Sequence, residues 1–592
     1  MKAFLMIILP PLVLLPLLGI DDEEPDIGRT AYMMGIMAAY WTSEALPIAV
    51  TSLLPVVMLP LMGVLPAEHV CQQYFKDNNF LFFGGLVVAA SLEAVHMHQR
   101  IALRVLLLFG TRPHQLLFGF MVGTAFLSMW MNNTATTAMM MPIAEAVLGQ
   151  LESIAESDGA STTNARLIKY LGKALMLGVA WAANIGGMAT LTGTGPNIVL
   201  AGGYDALFPE SEPLSFATWI GFAAPISALL VLAAWAMLML AYVPRSTRQA
   251  YDADYTRMVI ARQYSELGPI SWRELQVFCA FVTLALAWIT RHPGFCSGWD
   301  VFFEPGYVTD GTTAVTITVL LFALPGEPPK WCLWLHSWGT RAVEHVRSLW
   351  SPAQTIPAES EEVEVGSVNL QIRKRKPQGL ADGMQRSDQI ASDTKTEGTA
   401  VAAGEETPTR LLTWPDIQSR VPWGVLLLLG GGFALADACL VSGLSAKLGE
   451  HLEWLEPLPL TIALLMLMLI TAAVTSVASN VATASIFVPV VATLAQSMEV
   501  HPLYLLIPVT LTTSLAFVLP VSTPPNALAF ASGRLTVVDM APLGFALGLV
   551  GVALVILATN TTGTLFFGLG EFPAWAIPNA EPARQPDVDT HH

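Results

Sequence analysis

The chain has 592 residues, of which 53% are hydrophobic and 13% charged, about half the ~25% charged content of soluble domains. With a mean hydropathy of +0.55, this excludes a nucleic-acid binder, a disordered scaffold and an ordinary cytosolic enzyme, and leaves a chain whose solvent is mostly lipid. The net charge of −17 is spread over loops and tails, and the five cysteines form no C-x-x-C pair, so neither a disulfide framework nor a zinc cluster is implied.

In chain order, residues 1–20 are apolar with a single early Lys2. The acidic run 21–24 that follows is no cleavage site, so the segment reads as an uncleaved first span with acidic residues outside. Between residues 31 and 66 the only charge is Glu44, and between 113 and 150 it is Glu145. Runs 174–204, 214–244, 275–290, 311–326, 457–498, 502–533 and 540–570 contain none. Together with 80–95 and 421–446, and at ~20 residues per crossing, these predict an all-α polytopic membrane protein with about eleven crossings plus shorter broken or re-entrant pieces.

Basic residues set the sidedness. Arg245, Arg248, Arg257, Arg262 and Arg273 crowd one loop and Arg373-Lys374-Arg375-Lys376 another, so both loops and the N-terminus are expected in the cytoplasm. Residues 351–420 are rich in Pro, Ser, Glu, Thr and Gly and read as a disordered cytoplasmic linker between two membrane halves. Asn560-Thr561-Thr562 is a glycosylation sequon, and its use would put the C-terminus outside. Asn132-Asn133-Thr134 also fits the pattern, but in an apolar stretch where the match is accidental.

The halves superpose by one offset. Gly84-Gly85 pairs with Gly431-Gly432, Ser128 with Thr475, Asn132-Asn133 with Ser479-Asn480 and Pro142 with Pro489, each 347 residues apart. Farther on, Gly193-Thr194-Gly195-Pro196-Asn197 resembles Ser522-Thr523-Pro524-Pro525-Asn526, with the asparagines 329 apart. The shift between the two offsets is close to the length of the polar insert 151–168, found only in the first half. Repeated halves with interrupted hydrophobic segments in matching places are the sequence sign of a secondary transporter.

Within the run 457–498, Thr475-Ser476-Val477-Ala478-Ser479-Asn480 lies near the middle. Forty-two uncharged residues are too many for one span, so the helix is expected to break there and restart at about Asn480. Non-helical backbone at that depth is tolerated where it lines a cavity. Ser128-Met129-Trp130-Met131-Asn132-Asn133-Thr134 repeats the arrangement in the first half. A helix N-terminus suits a carboxylate, and unwound carbonyls with Ser, Thr and Asn oxygens suit a hard cation such as Na⁺. No Lys or Arg lies in either tip or either Pro-Asn segment, so a bound anion would be neutralised by dipoles and co-bound cations. One such motif is equally the small-residue glue of helix packing; two in register point to a ligand site. Glu44 and Glu145 are lone acids open to a functional or a helix-end reading, and Asp437 reads as interfacial. No metal spacing and no nucleophile elbow appears, so the chain is not expected to be an enzyme or to carry a cofactor.

At these residues the chain resembles the divalent anion–sodium symporter family, and within it the animal sodium-coupled di- and tricarboxylate cotransporters of the INDY type. The likeness rests on Trp41-Thr42-Ser43-Glu44-Ala45-Leu46-Pro47, on Asn133 to Met140, on Gly186-Gly187 to Asn197, on Trp423 to Gly432 and on Ser522 to Asn526. It implies inverted repeats, two re-entrant hairpins, a dimerising scaffold domain and a transport domain that moves by an elevator mechanism. It divides the chain into N-terminal scaffold helices (1–66), a first repeat (67–244), a cytoplasmic loop with connecting helices (245–350), the linker (351–420), a second repeat (421–570) and an extracellular tail (571–592). By position, it implies one sodium near Ser128, Asn132, Asn133 and Gly193, and a second near Thr475, Ala478, Asn480 and Ser522. Substrate carboxylates would meet Asn132, Asn133 and Thr134 on one side, and Ser479, Asn480, Val481, Thr523 and Pro524 on the other. Asn132 stands where the common pattern has Ser, and Val481 where many members have Thr. The implied activity is sodium-coupled uptake of succinate- or citrate-like anions by a glycosylated plasma-membrane homodimer; a sodium-independent exchanger and a sulfate carrier are the alternatives.

Overall fold

The structure, a computed structural model, describes residues 2–19, 24–110, 112–157, 162–243, 253–293, 297–304, 306–328, 410–451 and 458–577. It divides into two units, one made of residues 1–324 with 411–592 and the other of residues 325–410. Of the second, 325–328 and Arg410 are described, and Pro325 and Arg410 form an isolated antiparallel bridge. The acidic residues 21–23, Arg245, Arg248, the basic run 373–376, the linker from 351 to 409 and the tail beyond 577 lie outside the described residues.

The described residues of the first unit are helical, with no strand. Eight helices position the site. In the first half they are α1 (Pro113–Ser128), α2 (Asn133–Ser157), α3 (Thr162–Met188) and α4 (Gly195–Leu207). In the second half they are α5 (Leu460–Thr475), α6 (Asn480–Ser497), α7 (Pro502–Thr513) and α8 (Pro524–Ala531). Pro113, Pro502 and Pro524 open their helices at the first position, where the missing N–H would have no helical partner anyway. The polar insert of the first half lengthens the end of α2 and the start of α3.

From Leu171 onward α3 is buried apart from Lys173, and α7 is buried throughout, which is the pattern of helix segments enclosed on all sides. Along α3, Leu171, Leu175, Val179, Trp181 and Ile185 are fully inaccessible, and every residue of α7 is buried. Ion pairs then tie helices of the two halves together. Lys173 of α3 meets Asp539 at 2.5 Å, and Arg534, just beyond α8, meets Glu152 of α2 at 2.8 Å.

Among the described residues, five helices are long and apolar enough to cross a membrane: Phe216–Tyr242, Trp272–Arg291, Trp423–Val441, Asn480–Ser497 and Val537–Phe567. A sixth crossing results if Ala67–Ala94 and Met97–Phe109, bent by 74°, count as one, and five shorter apolar helices accompany them. About eleven full crossings were the expectation from charge-free runs; the runs are interrupted by prolines and polar breaks, so several divide into shorter pieces. The first segment shows why. Its helix Lys2–Val13 contains Pro10 and Pro11, which lack the N–H groups that would bond to the carbonyls of residues 6 and 7, and a 3-10 turn follows at Leu15–Gly19.

One boundary differs from the linker expectation of 351–420. Trp414–Arg420 is a helix started by a capping box between Thr413 and Asp416, and Leu411, Leu412 and Ile417 are buried. A cap signal followed by an apolar anchor outweighs the polar composition of the preceding stretch.

Candidate functional site

The helices break where small and polar residues replace apolar ones. α1 ends at Ser128 and α2 starts at Asn133; α5 ends at Thr475 and α6 starts at Asn480. In the first break Trp130 is held between Phe216, at a ring-centroid distance of 5.9 Å, and Phe281, at 5.0 Å. Its counterpart in the second break, Val477, is 59% exposed.

Hydrogen bonds at the two breaks repeat. Ser128 Oγ lies 2.7 Å from both Asn133 Oδ1 and the Ala183 carbonyl. Thr475 Oγ1 lies 2.9 Å from Asn480 Oδ1 and 2.7 Å from the Thr513 carbonyl. Both hydroxyls are fully buried. A hydroxyl has one proton, so each cluster gathers more acceptor oxygens than its hydrogen can separate, which is the donor set of a hard cation.

The unwound segments after α3 and α7 repeat as well. Asn197 Nδ2 donates to the carbonyls of Thr190 at 2.8 Å and Gly187 at 3.3 Å. Asn526 Nδ2 donates to those of Leu519 at 3.1 Å and Ala516 at 2.8 Å. All three pairs of matched residues are 329 apart. Ser522 Oγ donates to the Ser476 carbonyl at 2.7 Å, and Thr190 Oγ1 donates to that of Met129, so each unwound segment is fastened to its own break.

One cavity of about 500 Å³ joins these parts. Its walls include all eight residues expected to meet substrate: Asn132, Asn133, Thr134, Ser479, Asn480, Val481, Thr523 and Pro524. Of the residues expected near sodium, Gly193, Ala478 and Ser522 also line it, whereas Ser128 and Thr475 stand behind the wall and reach it through Asn133 and Asn480. The first residues of α2, α4, α6 and α8 all lie on the wall. Four helix N-termini at roughly half a charge each supply about two positive charges, suited to a dianion, and none of the lining residues is Lys or Arg. Asn132 Oδ1 accepts the Thr134 N–H at 2.8 Å, satisfying one of the donors exposed at the start of α2.

Two glycines allow the close approaches. A Cβ on Gly187 would come within 2.5 Å of Asn133 Oδ1, and one on Gly195 within 2.5 Å of Val481 Cγ2. Val481, from the second half, therefore seats directly on the first turn of α4.

The family described as sodium:sulfate symporter transmembrane region matches residues 2–569 of the chain. The chain belongs to this family, the divalent anion–sodium symporters. The Na(+)/dicarboxylate cotransporter 3 of Mus musculus is 37% identical, over 98% of this chain and 95% of that one. The Na(+)/citrate cotransporter of Rattus norvegicus is 38% identical over 97% of each. The sodium-dependent high-affinity dicarboxylate transporter 3 of Caenorhabditis elegans is 39% identical, over 97% of this chain and 89% of that one.

Other residues of this symporter reach the cavity without having been singled out as ligands. Thr192, Thr194 and Asn184 line it from the first half. Thr194 was visible as the partner of Thr523 in the second offset, while Asn184 is a single amide in the long apolar run of α3 and carries no periodic signal. Glu44 also lines the wall, at the left-handed C-cap of the helix Pro25–Ser43 with φ 49°. Glu145 is exposed and is not among the lining residues. Asp437 takes hydrogen bonds from Gln73 at 3.2 Å and His69 at 2.9 Å, away from the lining residues. Asn560 is exposed in a π-helical turn, where its Nδ2 donates to the Ile556 carbonyl and its Oδ1 accepts from Tyr504.

Proposed function

We propose that the chain is a secondary active transporter that couples sodium entry to uptake of di- and tricarboxylates of the succinate and citrate type. The observation that carries this reading is the pair of matched oxygen clusters beside one cavity ringed by four helix N-termini and free of basic lining side chains. In this reading, one sodium is held by Ser128, Asn132, Asn133 and Gly193, and the other by Thr475, Ala478, Asn480 and Ser522. The carboxylates meet Asn132, Asn133, Thr134, Ser479, Asn480, Val481, Thr523 and Pro524. The relatives named as sodium-coupled dicarboxylate and citrate transporters over nearly the full length support the substrate class.

The coupling follows from electrostatics. Moving a dianion into a negative cell costs ~2.3 kcal/mol per charge per 100 mV, roughly twice that for succinate. Two co-transported sodium ions offset that work, and a third makes uptake voltage-driven. Binding sodium also removes the oxygen–oxygen repulsion at each tip and adds positive charge beside the incoming carboxylate, so each ligand favours the other.

The finer architecture belongs to the same proposal. The pairs α1–α2 and α5–α6 are re-entrant hairpins of two inverted repeats. They move as a transport body against a scaffold that dimerises, by an elevator motion. The ion pairs Lys173–Asp539 and Arg534–Glu152 support a body in which both halves of the site travel together. The protein sits in the plasma membrane with its N-terminus in the cytoplasm and its C-terminus outside, and Asn560 accepts a glycan before the helix closes on its amide.

The test is uptake of radiolabelled succinate and citrate into cells expressing the full chain, in sodium chloride and in choline chloride. Saturable uptake that collapses in choline is expected. Uptake equal in both media would replace the symporter with an exchanger on the same fold.

A further inference from the structure

Two residues follow the carbonyls that anchor the tips. In the first half Ala183 is followed by Asn184, and in the second Thr513 is followed by Ser514. Asn184 is 1% exposed. Its Nδ2 donates across the repeat to Thr523 Oγ1 at 3.0 Å, on the N-cap of α8. Its Oδ1 has no hydrogen-bond partner among the described residues. Ser514 is shorter, its Oγ is likewise unpartnered, and Thr194, the N-cap of α4, makes no side-chain capping bond. The link between the halves therefore exists in one direction only.

Thr523 Oγ1 receives a second N–H, from the backbone of Asn526 at 3.4 Å. A hydroxyl has two acceptor positions and one proton. With both positions filled by N–H groups, Thr523 can interact further only as a donor, through its hydrogen, and the residue lies on the cavity wall. Thr194 has neither partner and its hydroxyl is free to turn.

We infer that Asn184 is a positioning residue that fixes Thr523 as a one-way hydrogen-bond donor to a substrate carboxylate, and so gives the two halves of the cavity unequal roles. This rests on the transport reading above. A hydroxyl locked as a donor disfavours a cation and favours an anion, so the second-half wall at Thr523 is committed to the carboxylate. The first-half wall at Thr194 keeps an adaptable hydroxyl. Burying this amide in the apolar stretch of α3 organises a neighbour that lines the cavity.

The experiment measures succinate uptake kinetics for the full chain, normalised to surface protein, with Asn184→Ala, Thr523→Val and the double variant. Each single change is expected to raise KM about ten-fold, equivalent to ~1.4 kcal/mol, with kcat and the sodium concentration for half-maximal uptake near wild type. The double variant is expected to match the worse single one, because both remove the same donated hydrogen bond. Asn184→Asp should raise KM further, since a carboxylate takes the Thr523 proton for itself and adds negative charge beside the anion. Asn184→Ser, which installs the residue that follows the anchoring carbonyl in the second half, should behave like Asn184→Ala and serves where the alanine variant fails to reach the surface. Multiplying effects in the double variant, an unchanged KM in Asn184→Ala, or an unchanged KM in Thr523→Val would each overturn the proposal. The last result would mean the amide is turned over, with Thr523 donating to Asn184 instead of to substrate. Wild-type chain that takes up no carboxylate in sodium would defeat the transport reading and this inference together; normal wild-type uptake with indifferent variants defeats the inference alone.

Discussion

Asn133 and Asn480 each occupy the first position of a helix, the wall of the cavity and a hydrogen bond to a buried hydroxyl. In the proposed site, removing either side chain would take away a cation oxygen and a carboxylate contact at once. Asn133→Ala and Asn480→Ala are each expected to abolish sodium-driven succinate uptake while surface biotinylation stays near wild type. Uptake at the wild-type level in either variant would remove that tip from the site. Gly195 offers a steric test. Its missing Cβ leaves the room that Val481 Cγ2 fills, with 2.5 Å between the two positions, closer than real Cβ contacts allow. Gly195→Ala should therefore lose uptake, and adding Val481→Ala should restore part of it; no restoration would place the damage elsewhere.

Among the elements, the breaks themselves were legible because polar residues at 128–134 and 475–480 interrupt long apolar runs at a constant offset. The hydrogen bonds of the unwound segments, from Asn197 and Asn526 to carbonyls 329 apart, follow the second offset. Asn184 was not legible. A lone amide in α3 looks like a tolerated polar residue until its partner, in the other half, is known. The helix Trp414–Arg420 was hidden by the polar stretch before it, and the change from α-helix to a 3-10 turn at Leu15 within the first apolar segment has no signal in composition.

Arg100 illustrates how elements are pinned outside the site. Only 4% exposed, it pairs with Glu274 at 3.1 Å and donates to the carbonyls of Gly268 at 2.9 Å and Leu267 at 3.2 Å, just past the end of the helix Ala253–Glu266. Arg100→Ala leaves a buried carboxylate without its cationic partner and two helix-end carbonyls without this donor, a loss of about 3–5 kcal/mol. The expected result is a clear fall in the thermal unfolding temperature of the detergent-solubilised protein. An unchanged temperature would show that water replaces the guanidinium without penalty.

At the scale of the whole molecule, the repeated halves could be read from spacing and the family from the resemblance of its motifs, whereas the cavity that unites the halves could not be read from spacing, because it depends on distances between residues more than 300 positions apart. The chain leaves the first unit at Leu324 and returns at Leu411, and these two residues are hydrogen bonded at 3.1 Å. Adjacent ends need no long connection, and loop length costs little stability. Replacing residues 331–405 by a short Gly-Ser loop should therefore leave succinate uptake within about two-fold of wild type. A complete loss with normal surface expression would assign the segment a direct role in transport.

The central claim is that two matched oxygen clusters bind sodium that travels with the carboxylate. Its most direct test is simultaneous measurement of labelled sodium and labelled succinate fluxes in proteoliposomes containing the purified full chain. The account predicts about two or more sodium ions per succinate, enough to offset the dianion's charge, with both fluxes lost in Ser128→Ala combined with Thr475→Ala. Succinate entry with no accompanying sodium flux would contradict it.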